Sequence, residues 1–155
     1  MLLNLVKALI RLKFPDVPRM SIVELAQKLQ ETAHPQPLIL DVRSEAEYAV
    51  SHLAAAKQLE MDSDLAHAEV LKNVAKDQQI IVYCSVGYRS AKVTQKLQQQ
   101  GFQNALNLEG GLFQWANEDR SIVHDGQPTP LVHPYSASWG KLLRKQHRYP
   151  LDKAE

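Results

Sequence analysis

The order of apolar runs and turn residues predicts an α/β domain with a central, mostly parallel β-sheet and helices on both faces. Three observations lead there. Short apolar runs at 38–40, 80–83 and 105–108 alternate with longer stretches of helical periodicity. Two Ser-x-x-Glu pairs, Ser21 with Glu24 and Ser44 with Glu47, have the form of capping boxes and mark helix starts. The chain has 155 residues, 45% of them hydrophobic, enough for a single domain with a substantial core.

Taken in order, the first capping box opens a helix over 22–31, with Ile22, Leu25, Ala26 and Leu29 along one face. Pro35 and Pro37 end it. Leu38, Ile39 and Leu40 form a buried strand that runs out at Asp41. The second capping box leads a short helix to about residue 51, and residues 57–59 read as a short strand. A helix is expected over 64–75, with Leu65, Ala68, Leu71 and Val74 or Ala75 facing inward. Residues 80–83 form the central strand. Ser90 is the expected N-cap of a helix reaching residue 100, where Gly101 stops it. Residues 105–108 form a further strand, and a helix over 112–117 follows the Gly110-Gly111 turn.

In open α/β sheets, ligands bind beyond the carboxyl ends of the strands. Asp41 and Cys84 both fall at such ends. Cys84 is the only cysteine in the chain and is followed by Ser85-Val86-Gly87-Tyr88-Arg89-Ser90. The N–H groups of Ser85 to Arg89 are placed to form an anion-binding concavity, backed by the dipole of the helix that follows. A thiol's pKa falls at such a place and beside Arg, and each unit of depression favours the thiolate by about 1.4 kcal/mol. Gly87 suits a left-handed turn or a close approach by a ligand. The plainer alternative is that Cys84 is a small core hydrophobe.

The loop Cys84 to Ser90 resembles the active-site loop of single-domain rhodanese-like sulfurtransferases, which carry a persulfide on cysteine. Three further segments resemble the family in order and spacing: Leu40-Asp41-Val42-Arg43, Glu47-Tyr48-Ala49-Val50-Ser51-His52-Leu53, and Leu108-Glu109-Gly110-Gly111-Leu112-Phe113-Gln114-Trp115. The family's Gly-His-Ile-Pro-Gly-Ala is replaced by Ser51-His52-Leu53-Ala54-Ala55-Ala56, which alters a turn rather than the chemistry. The spacing Cys84-x4-Arg89 is one residue shorter than the Cys-x5-Arg loop of related phosphatases and arsenate reductases. A tighter ring suits a terminal sulfur better than a phosphate.

The resemblance implies roles. Cys84 is the nucleophile, and Arg89 holds an anionic donor or stabilises the thiolate, unless it is simply paired with a neighbouring helix. Ser85, Val86, Gly87 and Tyr88 supply mainly backbone N–H groups. Asp41 and Arg43 support the loop, with Asp41 accepting loop N–H bonds and Arg43 pairing with an acid such as Glu47. His52 and Trp115 are expected to pack. The implied reaction passes a sulfane sulfur from a small anionic donor such as thiosulfate to a thiol or a sulfur-carrier protein. No cofactor is required.

The rest of the chain narrows the field. A net charge of +1 gives no global case for nucleic-acid binding, and the six scattered histidines offer no metal-ligand spacing, so no metal is expected. A lone cysteine forms no internal disulfide, which suits a cytoplasmic setting and leaves any persulfide to an external acceptor. The resemblance spans 20–125. Residues 1–19 carry an amphipathic basic segment, 1–14, too short and charged to cross a membrane. It reads as a helix packed on the domain, a dimer or partner contact, or a peripheral membrane anchor. Residues 126–155 read as a Pro-containing extension with a basic stretch, 141–148, expected to be solvated or to dock an acidic partner or RNA. Two other functional readings stay open: a non-catalytic partner-binding module and a thiol redox sensor.

Overall fold

A computed structural model describes residues 1–33 and 35–153. Five strands, β1 (Arg19–Met20), β2 (Leu38–Asp41), β3 (Ala56–Gln58), β4 (Ile80–Tyr83) and β5 (Ala105–Leu108), form one sheet in the order β1-β5-β4-β2-β3. Every pairing in it is parallel. β4 lies at the centre, flanked on both sides, and its residues are all buried. This explains why it reads as an unbroken apolar run.

The two-residue period of the strands sorts the core into two layers. Ile80, Val82 and Cys84 share one layer with Leu40 and Val42; Ile81 and Tyr83 share the other with Ile39. The first layer is closed by α4 (Tyr88–Gln99), through Val93 and Leu97, and by Leu65 and Leu71. The second is closed by α1 (Leu2–Lys13), α2 (Ile22–Gln30) and α5 (Gly111–Asn117). α3 (Glu45–Val50) leads from β2 towards β3. Both capping boxes form, at Ser21 with Glu24 and at Ser44 with Glu47. α4 ends in a Schellman motif: Gly101 at φ 91° donates to Gln98 O, and Phe102 N–H reaches Leu97 O.

Three expectations change. Residues 64–75 bury Leu65 and Leu71 as foreseen but form successive turns with one 3₁₀ turn, Glu69–Leu71, instead of a helix. The Asp64 carboxylate accepts from Ala66 N–H at 3.0 Å and meets His67 Nδ1 at 2.7 Å, so the side chain competes with the helical pattern. α4 starts at Tyr88, two residues before Ser90, because Gly87 rather than Ser90 is its N-cap. The basic stretch 141–148 is not a solvated tail. Leu142 and Leu143 enter the second core layer, and His147 is buried against Pro130 O and Asp119.

The flanking segments therefore belong to the same body. In α1, Ile10 is buried; just beyond it Phe14 is buried too and meets the Tyr88 ring edge-on at 5.5 Å, while Arg11 pairs with Glu109. Elsewhere on α1, Leu2, Leu5 and Leu12 stay exposed. After α5 comes a hairpin of β6 (Val123–His124) and β7 (Gln127–Pro128), its Asp125-Gly126 turn at φ 48° and 75°. Beyond it, Val132 exchanges backbone bonds with His147 and Tyr149 of the returning chain, and Asn117 ties Leu142 O and Arg144 N–H to α5.

The buried extension yields a direct test. Leu143→Ala, at a side chain 1% exposed, is expected to cost about 2–4 kcal/mol in urea unfolding. A loss below about 0.5 kcal/mol would mean that the segment is only draped on the surface.

Candidate active site

β4 carries Cys84 to the carboxyl edge of the sheet, where the chain turns into α4 through Ser85, Val86 and Gly87. The loop is held from below by α5. Leu112 N–H donates to Cys84 O and Phe113 N–H to Ser85 O, each at 2.9 Å. Such close approach requires Gly111: a Cβ there would lie 2.6 Å from both carbonyl oxygens, and its φ of 57° is itself left-handed. Across a trans peptide the N–H points opposite to the C=O. With both carbonyls turned to α5, the N–H groups of Ser85 and Val86 face away from it, and among the described residues neither has an acceptor. Asn107 on β5 fixes the far end of the loop, its Nδ2 donating to Gly87 O at 3.0 Å.

Two donors converge on the sulfur. Gly87 N–H lies 3.2 Å from Cys84 Sγ, and the Ser90 hydroxyl donates to it at 3.3 Å. Gly87 reaches this pose at φ 109°, outside the range of ordinary side-chain-bearing residues. Ser90, expected as a cap, thus lies in the first turn of α4 and serves the thiol. Cys84 is 1% exposed and forms part of the wall of a groove of about 400 Å³. Ser85, Val86, Tyr88 and Arg89 line the same groove.

The arginines are arranged differently from the expectation. Arg89 reaches the Glu47 carboxylate with both Nη atoms, at 2.9 and 2.8 Å, and Nη2 also donates to Ser85 Oγ at 2.9 Å. Its positive charge is therefore already paired with α3, and its guanidinium lies 5.0 Å from the Tyr135 ring. Burial pushes the Glu47 carboxyl up, but the Arg89 hydrogen bonds and charge, Ser44 N–H and the Arg43 charge outweigh it and hold it at about 2. Arg43 does not pair with Glu47. It is fully buried and bonds to Asp41 through Nε and Nη2, at 2.9 and 2.7 Å, and to Ser51 O at 2.7 Å. Asp41 also accepts the backbone N–H of Arg43, beside β4 in register with Tyr83. This pair braces the strand ends and lines no part of the groove. His52 stacks on Tyr48 at 3.8 Å, and Trp115 is buried with its Nε1 on Ser121 O.

Several contributors are not evident from the sequence. Asn107 leaves a signal, being the one polar residue in the apolar run 105–108. Glu47 reads as a cap and as a partner of Arg43, whereas its carboxylate bridges Ser44 and Arg89. The upper walls of the groove, Val6, Leu9 and Ile10 on one side and Tyr135 and Trp139 on the other, come from segments too distant in sequence to be assigned to Cys84. Among the described residues, no three His, Cys, Asp or Glu side chains gather as a metal-binding group.

Two predictions test this geometry. Gly111→Ala and Gly126→Ala both place a side chain at positive φ, but only Gly111 meets backbone. In chemical denaturation Gly111→Ala is expected to cost at least about 1 kcal/mol more than Gly126→Ala, on the order of an overpacking penalty. Equal losses would remove the contact from the account of the loop. Glu47, held at about 2, stabilises the folded state fully above its ordinary value of 4.5, and that contribution is lost as pH falls from there through 2. The wild-type unfolding free energy is expected to fall by a few kcal/mol more than that of Glu47→Gln between about pH 5 and pH 2. Parallel pH profiles would show that the ion pair carries no net charge coupling.

The likeness to known proteins covers this framework. A family model described as a rhodanese-like domain matches residues 21–118, from the cap of α2 to the end of α5. A sulfurtransferase of Allochromatium vinosum is 34% identical over 99 residues, 64% of this chain and 88% of that protein. A tRNA uridine(34) hydroxylase of Escherichia fergusonii is 29% identical over 112 residues, which span 68% of this chain but only 32% of the hydroxylase. Among solved structures, a rhodanese-like domain protein from Staphylococcus aureus is 33% identical, covering 64% of this chain and 91% of its own, with a TM-score of 0.55. A rhodanese-like domain from Anabaena has the same fold, with a TM-score of 0.62 over 70% of this chain and 80% of its own, at 23% identity. Fold, loop and matched span agree: the chain belongs to the rhodanese-like domain family.

Proposed function

We propose that the protein is a sulfurtransferase that carries a sulfane sulfur as a persulfide on Cys84, taking it from a small anionic donor such as thiosulfate and passing it to a thiol or a sulfur-carrier protein. One observation carries this reading. The only sulfur nucleophile of the chain lies in the wall of a groove, within reach of the Gly87 N–H and the Ser90 hydroxyl and next to two further N–H groups without acceptors. Donors fixed before the reaction favour negative charge at little reorganisation cost. Membership in the family and a sulfurtransferase relative at 34% identity support it.

The steps follow from the thiolate. Cys84 Sγ attacks the outer sulfur of thiosulfate, a new S–S bond forms, and the old one breaks with its electron pair leaving on sulfite. The Cys84 persulfide then lies among the loop N–H groups. An acceptor thiolate attacks the outer sulfur and Cys84 departs as thiolate, ready for another cycle. Glu47 and Ser85 hold Arg89 in place, so that Arg89 braces the loop at Ser85 against α3. Covalent transfer in two halves gives ping-pong kinetics. With no second cysteine in the chain, discharge needs an external thiol, which a reducing cytoplasm supplies.

Intact-protein mass spectrometry after reduction and brief exposure to thiosulfate tests the reading. The wild type is expected to gain one sulfur atom, removable by cyanide; Cys84→Ser gains none. Ser90→Ala, which removes a donor to the sulfur, is expected to slow loading about 10- to 100-fold. Failure to load from thiosulfate, mercaptopyruvate and polysulfide alike would overturn the sulfurtransferase reading and favour a partner-binding module.

A further inference from the structure

The groove above Cys84 has a chemical character that the nucleophile loop alone does not explain. One wall is a single face of α1: Val6, Leu9, Ile10 and Lys13 follow each other at helical spacings of three, one and three. Tyr135 and Trp139 form the other wall. Leu9 is 57% exposed, Tyr135 53% and Trp139 39%, so apolar area at the mouth is open to water and is covered only when something fills the groove. A volume of about 400 Å³ falls within the range of small-molecule sites and far exceeds the needs of a five-atom inorganic anion.

The charges point the same way. Arg89, the cation nearest the sulfur in sequence, is already paired twice with Glu47, so it offers a small dianion little net positive charge. Lys13 is different. No carboxylate lies within ion-pair distance of it among the described residues, and its Nζ lies 5.1 Å from the centre of the Tyr88 ring, with Lys92 at 5.0 Å. The neighbouring Lys13 and, less strongly, Lys92 ammonium groups hold the Tyr88 phenol below its usual range against burial. The groove thus combines a sulfur nucleophile in its wall, apolar sides and a cationic edge.

We propose that the groove selects the sulfur acceptor as a low-molecular-weight organic thiol with an extended apolar body and an anionic end, seated between Val6, Leu9, Ile10 and the Tyr135 and Trp139 rings with its charge at Lys13. This rests on the sulfurtransferase reading. The acceptor thiol gives its proton to the outer sulfur of the Cys84 persulfide as its own sulfur attacks there, forming a new S–S bond. The Cys84 S–S bond breaks, the outer sulfur leaves with its proton as part of an organic hydropersulfide, and Cys84 keeps the electron pair as thiolate. No oxidant or reductant is consumed.

The test separates loading from discharge. The wild type is loaded with inorganic polysulfide, checked by intact mass, and discharged by mercaptoacetate, 4-mercaptobutanoate or 6-mercaptohexanoate under second-order conditions. The discharge rate constant is expected to rise about 2- to 4-fold per added methylene, the transfer value for partial to full burial. Trp139→Ser and Leu9→Gln are expected to flatten that series. Lys13→Gln is expected to abolish the advantage of 6-mercaptohexanoate over the neutral 6-mercaptohexanol. Normal loading with a flat chain-length series overturns this proposal and leaves the sulfurtransferase reading standing. No loading from polysulfide, thiosulfate or mercaptopyruvate overturns both.

Discussion

The Cys84 loop hangs from the first turn of α5, and the close backbone contact at Gly111 is the constraint on which its shape depends. Two hydrogen bonds turn the carbonyls of Cys84 and Ser85 downward, and the planarity of the peptide does the rest by sending the following N–H groups the other way. Asn107 and the left-handed Gly87 close the loop from the far side, so three elements, β5, α4 and α5, each hold one part of a segment only a few residues long. Preorganisation of this kind adds little strain because the bonds involved are those a helix N-terminus must make anyway.

The charged residues around the loop divide into two closed pairs. Asp41 and Arg43 neutralise each other beneath the strand ends, and Glu47 and Arg89 do so beside the thiol. Removing one partner of a buried pair leaves an uncompensated charge, which costs more than the pair contributes. Each carboxylate also binds backbone, Asp41 taking the N–H of Arg43 and Glu47 completing the cap of α3. A helix cap is thus the means by which α3 reaches Arg89. The sulfur itself is contacted by neutral donors alone, the Gly87 N–H and the Ser90 hydroxyl.

Much of this is legible in the sequence because the signals are local. Apolar runs mark β2, β4 and β5; Ser-x-x-Glu pairs mark α2 and α3; Gly101 marks the end of α4. The motifs around Cys84 identify the family because they keep spacing. Sequence reasoning fails where competing local preferences are nearly equal. At 64–75 the inward phase is right, yet one Asx-type turn at Asp64 outweighs weak helical preference. At the start of α4, Ser90 has the chemistry of an N-cap but Gly87 has the backbone for it. Asp125-Gly126 is a readable hairpin signal that a view of the segment as linker passes over. The upper walls of the groove are not readable at all, because nothing in residues 1–14 or 130–140 announces which face of the sheet they return to.

Those walls divide the groove between separate stretches of the chain. The loop from Cys84 to Ser90 and the elements that hold it, β5, α4 and α5, lie within residues 21–118, whereas Tyr135 and Trp139 come after all of them. Residues 21–118 alone therefore hold Cys84 and its hydrogen-bond donors but lack Tyr135 and Trp139, one wall of the groove. The loop and the wall above it are thus set by different stretches of sequence, and a side-chain change at Tyr135 or Trp139 breaks none of the hydrogen bonds that hold the loop.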